Sequence, residues 1–347
     1  MSKKITVSLP LNVKPDELPL FEPFLSYELT PQKIKNFKNV FVTYSGFCLN
    51  DKGMIKESHH DHPHQLEDYR NETAYYYYNI EDHPEDLITL DDDHTYLLIH
   101  HPWFNYYHWI LECIFRAWMV KDKKDDMILL LPDYYGKTDF IMAPLEPFGF
   151  KQILFIPAGK CLLVKNLCIP QIKQKVDSYD YKMLQDVRHF LLDYASKQKN
   201  TALDLGERIY ISRKKAQRKK VDNEEEIEPI LLKYGFTLVN NEDYTFWEQV
   251  VIYSKAKYLV SIHGSGLTNM LFMQDGTSIL EFHKIKTNDK DWHSKAFWYL
   301  AEALDYKYYQ QLCQPTDVNA DYFNANFIVD TATLEKNLAM MFEQTTN

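Results

Sequence analysis

The sequence predicts an α/β protein of two domains. Short apolar runs of strand length alternate with amphipathic stretches of helix length, and the alternation runs through both halves of the chain. Its 347 residues are long for one core and comfortable for two. The most informative stretch is KYLVSIHGSGLTNMLFMQDGTSILEFH, residues 257–283. There an apolar run ends abruptly in His263-Gly264-Ser265-Gly266, and a new apolar segment starts at Leu267. This reads as a buried strand, a Gly-rich loop and a helix start.

Taken in order, residues 38–44 (KNVFVTY) and 95–100 (TYLLIH) have strand character, and 102–120 is apolar and aromatic, turning helical after Asn105. Residues 127–131 (MILLL) form a buried strand stopped by Pro132; 153–156 and 162–169 supply two more. Residues 180–199 make a good amphipathic helix, and the polar stretch after it places the boundary between an N-terminal domain, 1–200, and a C-terminal one, 201–347. In the second half, strands are expected at 208–212, 236–239, 258–262 and 278–282. Helices are expected at 223–234, 245–254, 267–273, 291–304 and 333–343. The economical arrangement is two α/β domains facing one cleft, with ligands at the carboxyl ends of the strands.

Hydrophobic residues are 45% and charged residues 25%, as in an ordinary folded soluble protein. A net charge of −10 argues against nucleic-acid binding through phosphate contacts, although residues 213–220 form a local basic cluster. Aromatics reach 15%, which suits sugar-facing surfaces and a Tyr-rich core alike. The five cysteines are odd in number and contain no CxxC pair, as expected of reduced, buried thiols in a cytosolic protein. The first residues have no signal-peptide h-region, and no run of about 18 apolar residues occurs. A cytoplasmic location is expected, with peripheral association at the inner face of the membrane left open.

Gly264 and Gly266 allow close approach to the backbone, and a helix start gathers N–H groups, so this loop suits an anion such as a diphosphate. It is not the dinucleotide fingerprint, because position 269 is Asn. The basic run Arg213-Lys-Lys-Ala-Gln-Arg218-Lys219-Lys220 follows a strand directly, where cations can neutralise a diphosphate; such runs are also commonly solvated surface. In Trp103-Phe-Asn-Tyr106-Tyr-His108-Trp109-Ile-Leu-Glu112 the sequence runs WFNYYHWILE, and His108 and Glu112 lie four apart on one helix face. They are candidates for a general base, with Glu112 the first choice, although Arg116 one turn further on can pair with it. Trp103, Tyr106 and Trp109 are candidate sugar-stacking residues. Glu248 is a candidate ribose ligand, with helix capping the more ordinary role. The run His59-His60-Asp61-His62-Pro63-His64 lacks regular ligand spacing and reads as a flexible polar loop. Asp91-Asp92-Asp93 has Asp-x-Asp spacing in an acidic turn, a weak metal signal.

Four segments together resemble glycosyltransferase family 61: NYYHWILE (105–112), YISRKKAQRKKVDNE (210–224), FWEQ (246–249) and HGSGLTN (263–269), all in the family's order. The resemblance covers roughly residues 97–282. It implies a GT-B architecture of two Rossmann-like domains, inversion at the sugar carbon, no cofactor and no required metal. It also implies a nucleotide-sugar donor, commonly UDP-linked, and a glycan or lipid-linked glycan acceptor in bacterial surface polysaccharide synthesis. Carried over, Arg213, Arg218, Lys219, Lys220 and Asn223 belong to the diphosphate side. His263, Gly264, Ser265, Gly266 and Asn269 form the donor loop, with Glu248 near the nucleoside and His108 and Glu112 as base candidates. The family often has arginine where this chain has Lys219 and Lys220, and alanine where it has Ser265. Three alternatives remain: a metal-dependent transferase using Asp91–Asp93, a non-catalytic glycan- or nucleotide-binding protein, and an RNA-binding role for 213–220.

Overall fold

A computed structural model describes residues 2–173, 175–198, 203–289 and 291–343. The chain divides into two compact units, one built on Thr30–Val176 and the other on Lys3–Leu29 together with residues from Asp177 onward. The boundary expected between residues 200 and 201 lies outside the described residues, and the helix Tyr181–Ser196 belongs to the second unit. The fold is mixed α/β.

The Thr30–Val176 unit is organised by one eight-stranded sheet. Its parallel part runs in the order Cys161–Pro170, Thr95–Leu98, Met127–Pro132, Ile153–Ile156, with Leu87–Leu90 pairing parallel to the first half of Cys161–Pro170. Ile34–Val42, Cys48–Asn50 and Gly53–Met54 extend it antiparallel on the other side. Val40, Leu98, Leu130, Ile156, Leu162 and Val164 pack into one buried cluster, which is why these runs are apolar on successive strands. The helix after Asn105 begins where expected, because the Asn105 side chain accepts the His108 N–H. It then widens into a π turn, Trp109–Cys113, before continuing as Ile114–Met119. Single π turns are rare and collect at functional sites.

Residues 59–64 do not form a flexible loop. Pro63 opens the helix Pro63–Asn79 at its first turn, where a missing N–H costs nothing, and His59 and His60 are buried.

The second unit holds a six-stranded sheet in the order Thr237–Val239, Arg208–Ile211, Tyr258–Ile262, Ser278–Lys284, Lys307–Pro315, Phe327–Ile328. The first five are parallel and the last is antiparallel. Starting at Arg208–Ile211, the chain builds outward to one side with Thr237–Val239. It then returns to the other side with Tyr258–Ile262. The direction of winding therefore reverses between Arg208–Ile211 and Tyr258–Ile262, the place where open parallel sheets bind ligands. Tyr210, Val260, Leu280, Phe282, Ile227 and Leu338 form part of its core.

Helix Phe246–Lys255 starts in a capping box: Glu248 accepts the Thr245 N–H at 2.8 Å while its own N–H reaches the Thr245 hydroxyl. Two expectations are corrected. The segment after Gly264 is a 3-10 helix, Ser265–Phe272, and the helix expected over 291–304 spans only Ala296–Ala303. In the latter, Asp291 accepts the Thr287 and Asn288 N–H groups and pairs with Lys284, which fixes a turn instead.

Because Glu248 is engaged in the cap, Glu248→Ala is expected to lower stability by about 1 kcal/mol and leave nucleotide affinity unchanged. Thermal unfolding and calorimetric titration check both halves, and a weakened nucleotide affinity at unchanged stability would give Glu248 a direct ligand role.

Candidate active site

The carboxyl ends of the two switch-point strands carry the two anion motifs. Arg208–Ile211 leads through Ser212 into Arg213, and Tyr258–Ile262 leads through His263 into Gly264. Arg213 joins them. Its Nε donates to the Lys219 carbonyl at 3.0 Å and an Nη to the Arg218 carbonyl at 3.3 Å. A Cβ on Gly264 would stand 3.6 Å from its other Nη. The guanidinium thus lies against the Gly loop, half-buried, with the basic loop curled around it. Gly266 is also closely packed: a Cβ there would come within 3.2 Å of Asn241 Nδ2 and in contact with Ile211 at 3.5 Å, so a side chain would require Asn241 to shift.

The other predicted residues of this half divide. Arg218 is exposed and donates to Asn324 Oδ1 at 3.0 Å. Lys220 holds the loop together by donating to the Lys214 carbonyl. Lys219 is 6% exposed, has a left-handed backbone (φ 59°) and sets its ammonium 4.0 Å over the Tyr322 ring. Asn223 and Asn269 are corrections, because both side chains are buried and engaged. Asn223 exchanges hydrogen bonds with the backbone of Val329, and Asn269 donates to Gln249 Oε1 at 2.9 Å. Gln249 in turn donates to the Asn241 and Tyr244 carbonyls. The FWEQ and GSGLTN motifs are therefore coupled through Gln249 and Asn269, which shape the loop without lining it.

Beneath the loop, the His263 Nδ1 meets the buried Glu281, whose other oxygen accepts the Tyr308 hydroxyl at 2.7 Å. Burial raises the Glu281 carboxyl to about 7 and lowers the Lys219 ammonium to about 7; burial also holds His263 well below the usual histidine range. His263, Glu281 and His283 offer donor atoms close enough to one another for a metal ion.

In the other unit, His108 and Glu112 do meet, at 2.8 Å between Nδ1 and Oε2. They are not alone. His60 Nε2 stands 3.1 Å and His101 Nε2 2.9 Å from the same oxygen, and the Lys173 ammonium lies 3.6 Å from Glu112 Oε1. His101 and Lys173 follow the carboxyl ends of neighbouring parallel strands, Thr95–Leu98 and Cys161–Pro170. Burial is the largest effect and would raise the Glu112 carboxyl, but its polar surroundings, His60, His108, Lys173 and His101, hold it well below the usual range. Glu112 is thus an ionised carboxylate with a fully buried side chain, while the His108 side chain remains 12% exposed.

Of the two base candidates, His108 is therefore the more exposed. Arg116 does not pair with Glu112. It is buried and donates to the carbonyls of Pro170, Ile99 and His100, tying the ends of the same two strands together. Trp109 is also a correction, since it is buried and donates to the Ile141 carbonyl. Trp103 is half-buried and stacks on His60 at 5.2 Å, and Tyr106 packs edge-on against Phe140. Asp92 and Asp93 sit in a surface turn, where Asp92 accepts from Tyr96 and His94 and Asp93 pairs with Lys165.

The sequence reading missed His60, His101 and Lys173 around Glu112, and Glu281, Tyr308 and Tyr322 beneath the Gly loop. His101 had a usable signal, its place just past a predicted parallel strand; His60 had only its run of histidines.

His60, His101, His108 and Glu112 form a donor set that could hold a metal ion. Gln65 Oε1 accepts the His60 N–H at 2.6 Å, which turns the Gln65 amide N–H toward His101 Nδ1 at 3.3 Å. His101 Nδ1 is then an acceptor, while its Nε2, 2.9 Å from Glu112 Oε2, makes no hydrogen bond of good geometry to it. A metal-ligating imidazole needs an acceptor at its second nitrogen, and His60 Nδ1 is buried with no hydrogen-bond partner.

An α/β chain with a cationic loop and a Gly loop at one switch point, and a carboxylate-backed histidine in its other unit, has the parts of a group-transfer enzyme. Over residues 106–280, half of its length, the chain matches the family model Glycosyltransferase 61, and it belongs to that family. Sugar transfer from a donor to an acceptor is therefore its class of activity. None of the curated proteins compared with the chain matches it.

An anion bound beside Lys219 and Glu281 raises the proton affinity of both groups. Binding of a nucleoside diphosphate between about pH 7 and 9 is expected to take up protons. Calorimetry in buffers of different ionisation enthalpy measures the sign, and proton release would contradict this electrostatic picture.

Proposed function

We propose that the protein is an inverting, metal-independent glycosyltransferase of GT-B type. It moves a sugar from a nucleotide-sugar, UDP-linked in the expected case, to a glycan or lipid-linked glycan. Its setting is bacterial surface polysaccharide synthesis on the cytoplasmic side of the membrane; no helix among the described residues is long and apolar enough to cross one. The observation that carries the proposal is the Arg213 guanidinium, wrapped by the basic loop and laid against Gly264 at the switch point. A fixed cation there stabilises the charge that develops on a departing nucleoside diphosphate without reorganising during the reaction.

In the proposed reaction His108 is the base. Its Nδ1–H donates to Glu112, which fixes the tautomer and leaves Nε2 to take the proton of the acceptor hydroxyl. The freed oxygen attacks the anomeric carbon as the bond to the diphosphate breaks on the opposite face, and the sugar carbon inverts. The imidazolium that forms is stabilised by the buried Glu112 carboxylate, so Glu112 positions the base and does not itself take the proton. Lys173, beside the other Glu112 oxygen, keeps the carboxylate ionised.

The test is a transfer assay with UDP-, GDP- and CMP-linked sugars on wild type, His108→Ala, Glu112→Gln and Arg213→Ala, with and without EDTA, alongside elemental analysis of the purified protein. Turnover in His108→Ala is expected to fall by about 10²-fold or more with donor affinity kept, while Arg213→Ala loses donor affinity. Full turnover in His108→Ala would remove the base. A stoichiometric metal whose chelation abolishes activity would replace the proton relay by a metal centre at the four-residue set. Donor binding with no turnover under any condition would favour a non-catalytic binding protein.

A further inference from the structure

Two exposed aromatic rings adjoin the cationic loop of the second unit. Trp292 is 45% and Phe323 53% exposed, and Trp292 is the one exposed tryptophan among the described residues. Their rings meet edge to face at 4.8 Å. Both pack against Tyr322, which is buried: Trp292 at 4.9 Å and Phe323 at 5.8 Å. Tyr322 in turn carries the Lys219 ammonium 4.0 Å over its ring and lies 5.2 Å from His263. One buried ring therefore separates the anion-side cation from the exposed pair.

The segments that present these rings are held firmly. Asp291, next to Trp292, is clamped by Lys284 and by the Thr287 and Asn288 N–H groups. The Thr287 hydroxyl and the Asn288 amide both donate to the Val318 carbonyl, joining the Trp292 segment to the loop that carries Phe323. In that loop Asp321 accepts the Phe323 and Asn324 N–H groups, and Asn324 takes the hydrogen bond from Arg218. Two large apolar rings are thus exposed on fixed backbone, beside a site of positive charge. That is a preorganised platform for a flat partner with an attached anion.

We propose that Trp292 and Phe323 form the stacking platform for the nucleobase of the donor, while Arg213 takes its diphosphate. This deepens the donor-site reading given above and rests on it. A nucleobase fits better than a sugar ring. The polar side chains of the loop, Asp321 and Asn324, are already engaged with each other, the backbone and Arg218, whereas the two partly exposed rings ask only for a π surface. Stacking tolerates different bases, so this platform contributes affinity for the nucleoside more than choice among nucleosides.

The experiment is calorimetric titration of the full-length protein with UDP, GDP and inorganic pyrophosphate, on wild type, Trp292→Ala, Trp292→Phe, Phe323→Ala and Arg213→Ala. Thermal unfolding of each variant checks that it folds, since both rings also pack against Tyr322. Trp292→Ala is expected to weaken UDP and GDP by about 10- to 100-fold and leave pyrophosphate affinity as in wild type. Trp292→Phe recovers most of the loss, and Arg213→Ala weakens all three ligands. Wild-type affinity for UDP and GDP in Trp292→Ala, or an equal loss of pyrophosphate, would overturn the platform while leaving the anion site standing. Failure of wild type to bind any of the three would overturn the donor-site reading and the platform with it.

Discussion

A single buried carboxylate organises the Thr30–Val176 unit's candidate site. Glu112 has no access to water, and an ionised carboxylate in that position is tolerated only if the protein surrounds it with donors and positive charge. The surrounding groups come from four places: His60 before the helix Pro63–Asn79, His101 past one parallel strand, Lys173 past its neighbour, and His108 one turn away on the same helix. Arg116 secures the strand ends from which two of them depart. The π turn at Trp109–Cys113 is where the helix bearing Glu112 departs from regular geometry. Only His108 carries the influence of this carboxylate to the surface, which is why a buried charge can matter to chemistry it never touches.

The second unit solves a different problem, that of holding positive charge ready for an anion. Topology supplies the place, since the sheet reverses its winding between the strands that deliver Arg213 and Gly264. Glycine supplies the proximity, and the Gln249–Asn269 hydrogen bond holds the loop against its helix. The buried trio of Lys219, Glu281 and His263 is pushed toward neutrality by burial, and an arriving diphosphate reverses that tendency for Lys219. Preparing charge in this way places the cost in folding and leaves little reorganisation for the transfer step.

Much of this was legible in the sequence, for identifiable reasons. Tyr258–Ile262 has the bounds that its apolar run marks, because a buried parallel strand is apolar on both faces. Asn105, Asp180 and Thr245 cap the helices that follow them, a local signal that needs no tertiary information. The errors lie where long-range contacts decide. Asn223 and Asn269 look like ligand residues by motif but are consumed by backbone and side-chain partners more than 20 residues or nearly so away. Glu112 looked accessible because helical spacing gives the face of a residue and not its depth. His60 was dismissed because its partners lie 41 to 52 positions further along the chain, and no local spacing rule reaches that far. Trp292 and Phe323 lay outside every motif and are visible only once the loops that hold them are folded together.

The central claim is that the ionised Glu112 fixes the tautomer of a surface-reaching His108 as the proton acceptor. Its most direct measurement is nitrogen-15 NMR of the histidine side chains near neutral pH, with His108 assigned by comparison with His108→Gln. The expected result is a His108 Nδ1 proton hydrogen-bonded to Glu112, lost in Glu112→Gln. A His108 ring protonated at Nε2 and bare at Nδ1, or one whose Nδ1 shift is that of a metal-bound nitrogen, would contradict it.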